Sequence, residues 1–305
     1  MRFLSPRLAL ACVFAAALAG SAHAITVDGR LEPGYSLLST QTTQTNPGPD
    51  PMSGQVDFST GSELDAAYGV IDHGVLHLLL AGNLKDALCG GQACTDFGAL
   101  EVFIDSQPGG QNVLLGLSPS GAAALAGLTF DSGFTPDFVV EFITTGALSN
   151  AFRRDVWYGT LPGGGGGSAY LLGSGTTAGV ADALAGGTNP YGIEATVDNS
   201  NTGGVTAGCS AASGAGVSSG VELEIPLAAI GLPTDCVSVC ALVVEPQHND
   251  LVNQVLGPVP PATCAFGAAS GVNFAGIAGN QYFQVCPPPT PARVSSWGAL
   301  KTVYR

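Results

Sequence analysis

In this chain apolar residues recur at every second position in short runs, and glycine, proline, asparagine or aspartate closes each run. No other feature constrains the fold as much, because side chains on a strand point alternately to its two faces. The runs are GVLHLLLAGNL (74 to 84), ALEVFIDS (99 to 106), DFVVEFI (137 to 143), YGIEATVDN (191 to 199), GVELEIPL (220 to 227) and CALVVEP (240 to 246). No segment sustains a helical period, although GAAALAGL and PLAAIGL have room for a helical turn or two. Asp72-His73-Gly74 reads as the hairpin turn joining AAYGVI to VLHLLLAG, since Asx and glycine tolerate positive φ. The stretches 163 to 167 and 199 to 220 read as surface loops. The expected fold class is all-β: a single antiparallel, jelly-roll-like β-sandwich over residues 25 to 286, with long Gly-rich loops. The stiff PPPTPA then leads into a tail ending at residue 305, with Trp297, Leu300 and Tyr304 at helical spacing.

Residues 1 to 24 carry Arg2 and Arg7, an uncharged stretch from Leu8 to Gly20, and the small-x-small site Ala22-His23-Ala24. This is the pattern of a cleaved secretory signal peptide, and Cys12 lacks a lipobox before it. The expected location is secreted or cell-surface, with no membrane span. Seven basic and 23 acidic residues remain after cleavage, a formal charge of −16. Such a chain has no electrostatic footprint for nucleic acid.

Cys89, Cys94, Cys209, Cys236, Cys240, Cys264 and Cys286 also remain. In an oxidising compartment they are disulfide candidates before they are metal ligands. Cys89 and Cys94 bracket a flexible four-residue loop. Cys236 and Cys240 on one strand lie about 13 Å apart, so each is expected to reach toward Cys209, Cys264 or Cys286, with one cysteine left over.

Glu101 and Asp105 share a strand face, but about 13 Å separates their α-carbons, which excludes a hydrolytic carboxylate pair. Asp105, at a strand end beside a Gly-rich turn, either caps that turn or ligates Ca²⁺ with Asp57, Glu63 or Asp65 as further oxygen donors. Glu222 and Glu224 alternate with Val221, Leu223 and Ile225, which predicts a solvated outer row. His73, His77 and His248 form no zinc motif, and no GxSxG or phosphate-loop sequence is present. Haem would need axial ligands, and the only methionine after cleavage is Met52. PQHNDLVNQVLGPVP concentrates Asn249, Asp250, Asn253 and Gln254, groups suited to hydrogen bonding sugar hydroxyls or their own backbone.

ITVDGRLEPGY, AYGVIDHGVLHLLLAGNL, FGALEVFIDSQPGG and GVELEIPLAAIGL, in this order, resemble family 9 carbohydrate-binding modules and their DOMON-like relatives. GSELDAAYG, FIDSQPGGQN and NQVLGPVP resemble a group of secreted bacterial proteins of unassigned role. The resemblance implies a β-sandwich, often with a structural calcium and a sugar held on aromatic rings, and Trp157 and Tyr158 are the residues expected to offer such a face. The expected function is a secreted, non-catalytic protein binding glycan, with calcium as its ion. A self-assembling or adhesive surface protein is the alternative, and a secreted hydrolase the third.

Overall fold

A computed structural model describes residues 25–41, 62–84, 99–117, 121–146, 152–175, 184–201, 213–244, 250–260, 263 and 265–288. These residues form an all-β sandwich whose only helical elements are short 3-10 turns. The strands in chain order are β1 (Ser36–Thr40), β2 (Glu63–Asp72), β3 (Val75–Asn83), β4 (Ala99–Asp105), β5 (Phe138–Gly146), β6 (Phe152–Thr160), β7 (Ala169–Gly175), β8 (Glu194–Val197), β9 (Gly220–Pro226), β10 (Val237–Val244), β11 (Asp250–Val255), β12 (Ala265–Ala268) and β13 (Phe283–Val285). The smaller sheet runs β1-β2-β3-β9-β8 and the larger β12-β11-β10-β4-β5-β6-β7, with β13 also on β10. All strand pairs are antiparallel. Two short strands share one flank of β10: β13 pairs with Val237–Val239 and β11 with its far end.

The hairpin expected at Asp72-His73-Gly74 joins β2 to β3, with φ of 47° at His73 and 82° at Gly74. Both are left-handed, as a two-residue turn matching strand twist requires.

The main core lies between the sheets. Leu64, Leu76, Leu78 and Leu80 of the smaller sheet pack with Leu100, Val102, Ile104, Val140, Phe142 and Val239 of the larger. A second core covers the other face of the larger sheet, where Phe103, Val139, Leu242 and Val244 lie under Leu114, Leu117, Leu125, Phe130, Phe134 and Phe274. Phe103 and Phe130 meet edge to face at 4.9 Å, a geometry that adds about 0.5–1.5 kcal/mol beyond area burial. β4 and β10 are therefore buried on both faces, which accounts for eight consecutive buried residues in β10.

Three expectations are corrected by this packing. Glu222 is not solvated: residues 25 to 35 cross the outer face of the smaller sheet, and its carboxylate accepts from Asp28 N, Gly29 N and the Tyr35 hydroxyl. Only Glu224 keeps partial exposure. Cys236 bonds Cys286, one of its anticipated partners, but Cys240 is free and buried opposite Phe103, where burial pushes its thiol pKa up. Residues 250 to 255, read as a polar stretch and not among the expected strands, are strand β11. Cys89, Cys94, Cys209 and Cys264 lie outside the described residues.

Candidate functional site

The densest group of buried oxygens sits on the outer face of the smaller sheet, where β2 begins and β3 ends. Glu63 pairs with Asn83 across the two strands, and a bulge makes Asp65 the extra residue between Leu64 and Ala66. Leu64 faces the main core, whereas Ala66 faces the outer side, so the bulge turns Asp65 outward with its neighbour. Gly82 permits the bulge. Its φ is +145°, and a Cβ there would stand 1.9 Å from the Glu63 carbonyl oxygen.

Asn201 ties the group together: its Nδ2 donates to Asp65 Oδ2 at 3.4 Å, and its carbonyl accepts from Asn83 Nδ2 at 3.1 Å. Beside it, Asn199 closes the end of β3 through both backbone groups of Leu84. Glu63 and Asp65 are fully buried and Asn83 is 7% exposed. Asp65 Oδ1 and Asn83 Oδ1 are buried and accept no hydrogen bond among the described residues. Burial pushes the Asp65 carboxyl up to about 7. Orphaned buried acceptors carry a penalty of about 1–3 kcal/mol each, and a cation removes it. Carboxylate and amide oxygens without nitrogen or sulfur suit a hard ion such as Ca²⁺, whose remaining positions water and backbone carbonyls would fill. The residues present fit that ion.

Next to this group lies a cavity of about 580 Å³, whose lining includes Arg30, Ser200, Asn201, Ser213, Ser218 and Ser219. Its walls are held by backbone bonds: Leu31 N donates to Ser218 O, Gly220 N to Gly29 O, and Gly82 N to Ser219 O. Arg30 Nε donates to Asp198 Oδ2 at 2.6 Å. Burial alone would raise the Asp198 pKa, but the bonds from Arg30 and Ser200 hold it below the usual carboxylate range. Asp198 therefore stays charged and fixes the guanidinium at the cavity wall.

A second acidic feature is a pair of carboxyls on the larger sheet. Glu101 and Glu141 stand directly opposite each other on β4 and β5. Their exposures are 0% and 1%. Burial first, and the neighbouring Glu141 second, raise the Glu101 pKa well above its ordinary value. Glu101 thus belongs to a pair with Glu141, not with Asp105. A lone acid inside an otherwise apolar run, as in ALEVFID and DFVVEFI, is the signal that points to it.

Of the anticipated site residues, Glu63 and Asp65 come together at the start of β2, and the other described ones lie elsewhere. Asp105 closes β4 in the larger sheet, and its Oδ2 accepts from Thr135 N at 2.9 Å. It caps a loop, though not the one after it: Asp137 accepts from Ser106 N and Gln107 N. Burial raises the pKa of both aspartates, and the backbone bonds oppose this. Asp57 and Asn249 lie outside the described residues. Trp157 is half-buried on the outer face of β6, opposite Glu141 and Leu171. Tyr158 faces inward, and its hydroxyl donates to Ala229 O, so it offers no face to a sugar. Asp250 opens β11 opposite Ala268. Asn253 and Gln254 are fully buried; Asn253 donates to Thr263 O, and Gln254 accepts from Leu64 N and so bridges the sheets.

His73 is exposed in the hairpin with Nδ1 2.6 Å from Asp72, while His77 is buried with Nδ1 3.9 Å from Glu224. His248 lies outside the described residues, within which no three His, Cys, Asp or Glu side chains converge on a metal position.

Comparison with protein-family models, curated proteins and solved structures finds no match to this chain. Fold and site together define a two-sheet, all-β sandwich with an oxygen-lined sheet end and a polar cavity beside it.

Proposed function

We propose that this chain is an exported, non-catalytic β-sandwich protein that holds Ca²⁺ at the start of β2 and binds a hydroxyl-rich ligand, of glycan type, in the adjoining cavity. The observation that carries this reading is the buried pair Asp65 Oδ1 and Asn83 Oδ1, neither of which accepts a hydrogen bond among the described residues. Glu63 lies beside them, and Asn201 spans them through its carbonyl and its Nδ2. The cavity has the volume of a small-ligand site, and its hydroxyl, amide and guanidinium groups match sugar hydroxyls as donors and acceptors. The proposed binding position is distinct from the expected residues Trp157, Tyr158, Asn249, Asp250, Asn253 and Gln254. Self-assembly through a sheet edge draws less support, because edge strand β1 is short and bulged.

Thermal unfolding with Ca²⁺, Mg²⁺ or chelator tests the ion. At 100 times Kd, Ca²⁺ should stabilise the fold by about 2.7 kcal/mol, a rise of roughly 4–5 °C in Tm for a chain of this size. Asp65→Asn should abolish the rise. Because Asp65 must ionise to bind, affinity should increase as pH rises through about 7. A Tm indifferent to both Ca²⁺ and chelator refutes the calcium reading.

A further inference from the structure

We infer that the cavity between residues 29–31 and 213–219 selects a hydroxylated ligand bearing a carboxylate, a sugar acid of one or two rings. This deepens the binding reading above and does not depend on the calcium ion. Among the described residues that line the cavity, Arg30 is the cationic one, on a chain whose formal charge is −14. A guanidinium presents five N–H donors in a fixed fork, and among the described residues Arg30 uses its Nε–H on Asp198. Its terminal N–H groups remain for a second, bidentate carboxylate. The side chain is 64% exposed while that of Asp198 is 9% exposed, so the anchor is buried and the fork open.

The rest of the lining supplies hydroxyls and an amide rather than charge. Ser213, Ser218 and Ser219 serve ring hydroxyls, which are neutral donors and acceptors. No aromatic ring is among the described residues that line the cavity. Among these residues the sources of affinity are the charged fork and several neutral hydrogen bonds. A ligand with hydroxyls alone leaves the fork without an anion, and one with a carboxylate alone leaves the serines without partners. The volume of about 580 Å³ admits one or two pyranose rings.

Titration calorimetry with glucuronate, glucose and acetate tests this on the full chain. Glucuronate should bind at least tenfold more tightly than glucose or acetate. Arg30→Gln should weaken glucuronate at least tenfold and remove its advantage over glucose, with Arg30→Lys between, because it keeps the charge and loses the fork. Circular dichroism confirms that each variant is folded. The inference is overturned if glucose matches glucuronate, if Arg30→Gln is without effect, or if glucuronate gives no saturable heat. Calcium is read separately, by the chelator melts, so failure of one proposal does not obscure the other.

Discussion

Replacing Glu101 with glutamine should remove a pH dependence from the stability of this fold. Glu101 and Glu141 are directly opposed on neighbouring strands and are 0% and 1% exposed. Side chains so paired have Cβ atoms about 4.5–5.5 Å apart. Two carboxylates at about 4 Å repel by about 4 kcal/mol at an effective dielectric of 20, before any cost of desolvation. Burial, and then the neighbouring Glu141, make ionising Glu101 unfavourable, so in the folded state Glu101 keeps its proton into the range where the unfolded chain has lost it. Glu101 is thus an acid whose folded pKa lies above its unfolded one. Its contribution is complete at pH below the ordinary glutamate value and is lost as pH rises toward the folded value. Between those limits stability falls by about 1.4 kcal/mol per pH unit.

Glutamine at position 101 does not titrate, and its amide can donate to Glu141 much as the protonated acid does. Urea unfolding of both proteins at pH steps from 4 to 9 is the assay. At the acid end the two should agree within about 1 kcal/mol, the scale of one exchanged hydrogen bond. Above it the glutamine variant should gain on the parent by about 1.4 kcal/mol per unit until Glu101 has ionised. The other raised carboxyls, Asp65, Asp105, Asp131, Asp137, Glu222 and Glu224, are common to both proteins and cancel in the difference. Parallel curves with a constant offset would refute the shared-proton argument.

Two further outcomes follow from the packing. Reducing the Cys236–Cys286 bond, which spans 50 residues, should destabilise the fold by about 4 kcal/mol through the freed entropy of the unfolded chain, read as a shift in urea midpoint with and without reductant. Glu222→Ala orphans the N–H groups of Asp28 and Gly29 and the Tyr35 hydroxyl; it should cost about 3–5 kcal/mol and make residues 25 to 35 cleavable by dilute protease, whereas unchanged protection would show that the segment is held by other contacts.

The sequence by itself determined the all-β class, most of the central strands and the hairpin at His73-Gly74, because alternation and turn chemistry are local properties of a few neighbouring residues. It also separated Glu101 from Asp105, since distance along one strand needs no partner. Strands β1, β6, β7, β11, β12 and β13 escaped it. FRRDVWYGT carries charges, DLVNQV carries amides, and each is a strand only because a neighbour satisfies its backbone. Burial of polar groups was decided by tertiary structure alone. Glu222 alternates like a surface residue, yet a segment nearly 200 positions earlier covers it. Asp65 and Asn83 meet through a bulge and through Asn201, and Arg30 reaches its cavity by pairing with Ser219. Which carboxylate keeps water and which must find a proton, a donor or a cation depends on strand neighbours far apart in the chain. Local periodicity does not encode that arrangement.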